Sequence, residues 1–447
     1  MPAIITDRFK KEILLNLQQD IDSADNNYYV AVGRPVDWDS ADIAPTPNSS
    51  NRTIRDAQYN MTAVKNVEAH SFVIPRYTWS LGALYQSYND DAVGHPSNSF
   101  YVITDENNVY VCLEASKNAQ GQTVTSTVKP SGTSTSAFET ADGYVWKFLY
   151  SVGALRASQF LSANYMPVTK FEAFDSDDPA DHVEQVGIQN AAVAGEIVSY
   201  VITNGGSGYI TAPTVTIVGD GSNAEAVATV SSGAVTKIEV KDNGGIKAHG
   251  SGYSHAHVEI SGGSGSNAKA RPVLGPAKGF GADPRDDLKA TAMMFIAKPN
   301  GTEGSNWVVG NDFRQVMLIK NIEIPDSDAL YTEVTGNALK RMEFSSVDVA
   351  FTADKTIRGL TSQALAYVVK TDSDTIWYIQ DSDTQFKTFS NGESIDEVDG
   401  SGLGVLDSAG TYGDVDINSG EVMYIDNRAA VQRSADQTED IKIIIQL

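Results

Sequence analysis

Residues 206–224 read GSGYITAPTVTIVGDGSNA, and residues 250–268 read GSGYSHAHVEISGGSGSNA. Gly206-Ser207-Gly208-Tyr209 returns as Gly250-Ser251-Gly252-Tyr253, and Gly221-Ser222-Asn223-Ala224 as Gly265-Ser266-Asn267-Ala268, both at an interval of 44 residues. A fixed interval marks a structural repeat. Within each copy, glycines bracket short runs that alternate apolar and polar residues, the period of a half-buried strand. Glycine supplies the positive φ that such turns need. The stretch from Asp181 to Leu274 is therefore expected to be an inserted β-module of two similar meanders, each burying its face on the other.

Outward from the repeat, the same alternation recurs in YYVAV from Tyr28, SFYVIT from Ser99, VYVCL from Val109 and YVWKFLYSV from Tyr144. PTPNSSN from Pro45 and KPSGTSTS from Lys129 read as exposed loops between strands. Near the N-terminus, Phe9, Ile13, Leu14, Leu17 and Ile21 fall at helical spacing behind Thr6 or Asp7, a start signal for one amphipathic helix. After Leu274, GPAKGFGADPRDDLKATAMMF reads as a loop, a short helix and a strand. A second polar stretch from about Thr352 to Ser419 holds ALAYVVK and TIWYIQ, a hairpin pattern. The fold class expected is mainly β, a β-sandwich-type core domain with one N-terminal helix and inserted β-modules. In this division 1–180 and 275–351 are the two parts of the core, 181–274 is the repeat module, 352–419 is a second inserted β-rich lobe, and 420–447 supplies C-terminal strands that close the core.

Charge narrows the partners. The 447 residues carry 33 Lys plus Arg against 57 Asp plus Glu, a net charge of -24, which argues against nucleic acid or an anionic membrane surface as partner. Cys112 is the only cysteine, so neither an internal disulfide nor a cysteine-based zinc cluster is available. No apolar run long enough for a membrane span or a signal peptide is visible. The expectation is a protein that acts in the compartment where it is made.

Motifs of chemistry are scarce. P-loop, HExxH and GxSxG patterns are absent from the sequence. Gly400-Ser401-Gly402-Leu403-Gly404 superficially resembles a dinucleotide loop, yet it lacks a βαβ frame and reads as a flexible loop. Asp372, Asp374, Asp381 and Asp383 form two DSD pairs without EF-hand spacing, as solvated turn residues do. His255 and His257 are the weak metal candidates, since alternate strand positions share a face as two imidazoles on one ion must. Against a metal, the companion copy places Thr211 and Pro213 there, and only Glu259 offers a nearby carboxylate. Tyr77, Trp79, Tyr85 and Tyr88 could form a sugar platform, or serve as core or interface aromatics. No cofactor and no catalytic residue is assigned.

Several stretches, in order, resemble the baseplate wedge subunit of T-even-like contractile-tailed bacteriophages, the product of gene eight. They are YYVAVGRPVDW (28–38), VIPRYTW (73–79), DGYVWKFLYSV (142–152), GADPRDDL (281–288), VGNDFRQVMLIKN (309–321) and SGEVMYIDNRAAVQRSADQTEDIKIIIQL (419–447). The last is the most specific, and the likeness lapses in the two insertions. The resemblance implies a mainly β structural subunit, not an enzyme. It implies a homodimer that is assembled in the host cytoplasm and joined to other baseplate wedge proteins in the virion tail, without nucleic acid, membrane or small-molecule substrate. Affinity in such an assembly rests on buried aromatic and arginine anchors, and the motifs offer Trp38, Arg76, Trp79, Trp146, Phe313, Arg314, Tyr424 and Arg428. Core packing, or for the arginines a loop-fixing hydrogen bond, is the competing role for each. The alternative function is a carbohydrate-binding or glycan-cleaving tail protein, suggested by the Gly- and Tyr-rich repeats; a third is metal-dependent adhesion through His255 and His257.

Overall fold

The alternating runs do form strands, and the protein is mainly β, built from several antiparallel sheets. The computed structural model describes residues 3–39, 41–95, 99–171 and 178–447. The chain divides into two compact units, one comprising Met1–Leu14, Ser71–Met294 and Ile445–Leu447, the other Leu15–His70 and Phe295–Ile444.

The N-terminal helix runs Asp7–Ile21, and the Thr6 hydroxyl caps it by accepting the Phe9 amide at 3.3 Å. Its buried positions include Lys11 as well as Leu14, whereas Phe9 and Ile13 of the expected apolar stripe are exposed. Lys11 goes inside because Asp283 (3.6 Å) and Asp286 receive its ammonium. Helices at Asn51–Tyr59, Ala154–Phe160 and Ala180–Asn190 go beyond the sequence reading. The first begins where the PTPNSSN loop ends, because the Ser50 hydroxyl accepts the Thr53 amide at 3.2 Å.

In the first unit, the strands Tyr101–Ile103, Asn108–Glu114, Val145–Ser151 and Phe138–Glu139 form one antiparallel sheet in that spatial order. Its core holds Tyr85, Cys112, Tyr144 and Trp146, with Tyr144 and Trp146 stacked at 5.7 Å between ring centroids. Ile188 of the helix Ala180–Asn190 joins the same cluster, so the first turns of the segment 181–274 pack with this sheet.

The repeat itself interlocks. Ser222 and Ala224 pair with Ser251 and His249, while their equivalents Ser266 and Ala268 pair with Ser207 and Gly205. Between these, Thr214–Gly219 pairs with Ala256–Ser261. Each copy therefore supplies strands to the other instead of packing against it as a finished meander, because a lone hairpin leaves its edges unpaired. The tyrosines lock the exchange: a Cβ on Gly265 would lie 2.4 Å from the ring of Tyr209, and one on Gly221 2.4 Å from that of Tyr253, too close for either to fit. Both rings are buried. The module enters and leaves side by side, Ile197 pairing with Leu274.

In the second unit, Thr335–Asn337, Met61–Asn66, Tyr28–Gly33, Asp312–Lys320 and Glu421–Gln432 form a five-stranded antiparallel sheet in that order. Tyr29, Ala31, Met317 and Ile319 on one face pack with Ala57 of the helix Asn51–Tyr59. A closed barrel follows, in the order Lys340–Val349, Thr375–Ile379, Leu365–Asp372, Thr356–Gly359, Ser394–Glu397 and Leu403–Thr411. Phe344, Ile357, Val368, Ile376, Tyr378 and Leu406 are among the residues that fill it. The ALAYVVK and TIWYIQ runs are its central hairpin.

One buried carboxyl ties the module to the sheet beside it. Glu114 accepts the Val240 amide at 3.0 Å, and burial pushes its pKa up from 4.5 to about 7. The folded state thus holds a proton that the unfolded chain gives up above pH 4.5. The stability this carries is full below pH 4.5 and is lost as pH rises through 7, a swing of about 3 kcal/mol. Glu114→Gln keeps the acceptor without the charge, and urea denaturation should find it more stable than the parent at pH 8 and level with it at pH 4.5.

Candidate interaction edge

Arg314 sits mid-strand in Asp312–Lys320, where a charged side chain has to be matched or excluded. Its guanidinium is buried and fully engaged. The Nε donates to both Asp42 oxygens (2.7 and 2.9 Å), one terminal nitrogen to the Pro35 carbonyl (2.9 Å), and the other to Asp37 (2.5 Å) and Asp312 (3.2 Å). Burial works against its charge, but the three carboxylates outweigh it and raise the pKa; in return, the Arg314 hydrogen bonds hold Asp42 below the usual carboxylate range.

Those bonds fix the segment that carries Trp38. The Trp38 amide donates to Asp42 at 3.1 Å, its indole N–H donates to the Arg428 carbonyl at 3.1 Å, and the Arg34 guanidinium lies 4.3 Å from the ring centroid. Arg428 belongs to Glu421–Gln432, the outermost strand of the sheet. That strand departs from regular pairing twice, at Met423 and again opposite Arg314, where Arg428, Ala429 and Ala430 stand exposed. Among the described residues, no backbone group of the run Glu421–Asn427 bonds to any strand other than Asp312–Lys320. The far edge of this run is open, and Met423 on it is 45% exposed.

Five of the expected anchors meet here: Trp38, Arg314, Tyr424 and Arg428, with Phe313 buried beside Val431. Burial raises the Tyr424 phenol pKa, with Asp426 adding to the effect. The other three belong to the first unit and serve it internally. Arg76 donates to the Ser162 carbonyl (2.9 Å) and to Thr78 (3.2 Å), Trp79 donates to Ser126 (3.1 Å), and Trp146 is core. Asp37 and Asp42 were missed because their partner lies more than 270 residues along the chain, and no local pattern announces it.

The remaining candidates fall elsewhere. His255 lies 3.4 Å from Asp220, and His257 lies 3.4 Å from Glu259, each pair exposed. Among the described residues, no group of three His, Cys, Asp or Glu side chains is placed to hold a metal ion. Asp220 instead clasps the second copy through the Ser254 and His255 amides, at 2.9 and 3.1 Å. The Gly400–Gly404 loop wraps a carboxylate of its own, since the Ser401 and Gly402 amides both donate to Glu397 at 3.0 Å. Tyr85 and Tyr88 are buried core residues, as are the repeat tyrosines, so none of these four offers a stacking surface for a sugar ring. GADPRDDL lines a cleft of about 390 Å³, where Asp283 caps the helix Pro284–Asp287 and grips Arg285 at 2.9 and 3.0 Å. Asp287 within it is fully buried, its pKa driven well up by that burial.

Set against known proteins, the chain matches no family model and no curated protein.

Arg314→Met should cost about 2 kcal/mol in urea denaturation, because it leaves the buried Pro35 carbonyl without its donor. Loss of the Trp38–Arg428 tie should also shift the tryptophan emission to longer wavelength; an unchanged spectrum would detach Trp38 from this cluster.

Proposed function

We propose that this chain is a structural subunit of a contractile phage tail baseplate wedge, which works as a homodimer and holds neighbouring wedge proteins together by surface complementarity. Catalysis plays no part in this role. The observation that carries the reading concerns three of the six motifs. The segments 28–38, 309–321 and 419–447, far apart in sequence, supply three adjacent strands of one sheet, Tyr28–Gly33, Asp312–Lys320 and Glu421–Gln432. A set of motifs that converges on one sheet and its open edge supports a part that docks against other proteins. The chain's charge of -24 suits protein partners over nucleic acid.

Gold-labelled antibody against the chain should decorate the distal end of extended and contracted tails in electron micrographs. Particles free of label, with the protein abundant in the lysate, would remove the reading. In solution, light scattering should give twice the 47.9 kDa chain mass.

A further inference from the structure

We propose that the open run Glu421–Asn427 is the surface through which two copies of this chain join, strand to strand and antiparallel, centred on Ile425; the inference rests on the homodimer reading above. The unpaired amides and carbonyls of an edge strand are satisfied by water or by another strand, and by little else. Natural edges are blunted by shortness, proline, lysine or bulges. This strand spans 12 residues and contains neither proline nor lysine. One bulge falls within the free run, at Met423, and the Trp38 indole on the Arg428 carbonyl ends that run at Asn427.

The sequence of the run is complementary to its own reverse. A two-fold axis at Ile425 sets Tyr424 opposite Asp426 of the partner subunit, a phenol donor against a carboxylate acceptor, and the symmetry repeats the pair. The same register brings exposed Glu421 within one residue of Arg428 of the partner subunit. A parallel arrangement would align like charges instead. Ala429 and Ala430, both exposed, leave room for the incoming chain. Local opposite charges matter here because the two chains, at -24 each, repel at longer range.

Oxidation of Ile425→Cys tests this directly, since the one native thiol, Cys112, is fully buried. The variant should run as a covalent dimer on a non-reducing gel, while a cysteine at exposed Leu81 should not. Charge reversal provides a second test at exposed positions that leave the fold intact. Arg428→Glu should weaken dimerisation about tenfold, and adding Glu421→Arg should restore it. A dimer by light scattering that neither cross-links through Ile425→Cys nor responds to the charge changes overturns this interface and leaves the homodimer standing. A chain that is monomeric at every concentration overturns the homodimer itself.

Discussion

One guanidinium governs the edge of the second unit's sheet. Arg314 occupies the strand just inside the outermost one, and its charge can remain there only because Asp37, Asp42 and Asp312 surround it. Two of those carboxylates lie in the segment that follows the strand Tyr28–Gly33, so neutralising Arg314 folds that segment back and sets the Trp38 indole on the Arg428 carbonyl. That hydrogen bond marks where the outermost strand stops being free. A buried charge thus determines how much edge is left for another protein.

The repeat module answers part of the same edge problem by exchange. Its two copies exchange strands, and each tyrosine closes over the glycine of the other copy, so the strands that a lone copy would leave bare find partners. Gly206 and Gly250 both sit near φ of 66–67°, and Asn223 and Asn267 both at 66°, which shows how closely the turn geometry follows the sequence repeat. One polypeptide therefore contains a β-module knit by strands exchanged between its two copies and a sheet whose last strand remains open.

Much of this was legible from local patterns. Alternation located the strands, the 44-residue interval marked segments that pair in equivalent ways, and Thr6 marked the start of the first helix. What lay out of reach was tertiary. Alternation in ALAYVVK and TIWYIQ implies a hairpin, but barrel closure depends on the pairing of Leu403–Thr411 with Lys340–Val349, strands more than 50 residues apart. The anchors show the same limit. Tryptophan and arginine in the motifs could be picked out by type, yet the division of labour between Trp146 in the core and Trp38 at the edge follows from neighbours distant in sequence. The Gly400–Gly404 loop illustrates the converse: glycines that suggest a phosphate cradle turn out to cradle Glu397, five residues before the second of them.

Hydrogen exchange at the amides of Glu421–Asn427, followed as protein concentration rises, tests the account at its centre. An edge that pairs with a second copy should gain protection there while amides of the inner strand Tyr28–Gly33 stay unchanged. Exchange in this run that is fast and independent of concentration, with dimers present, would contradict it.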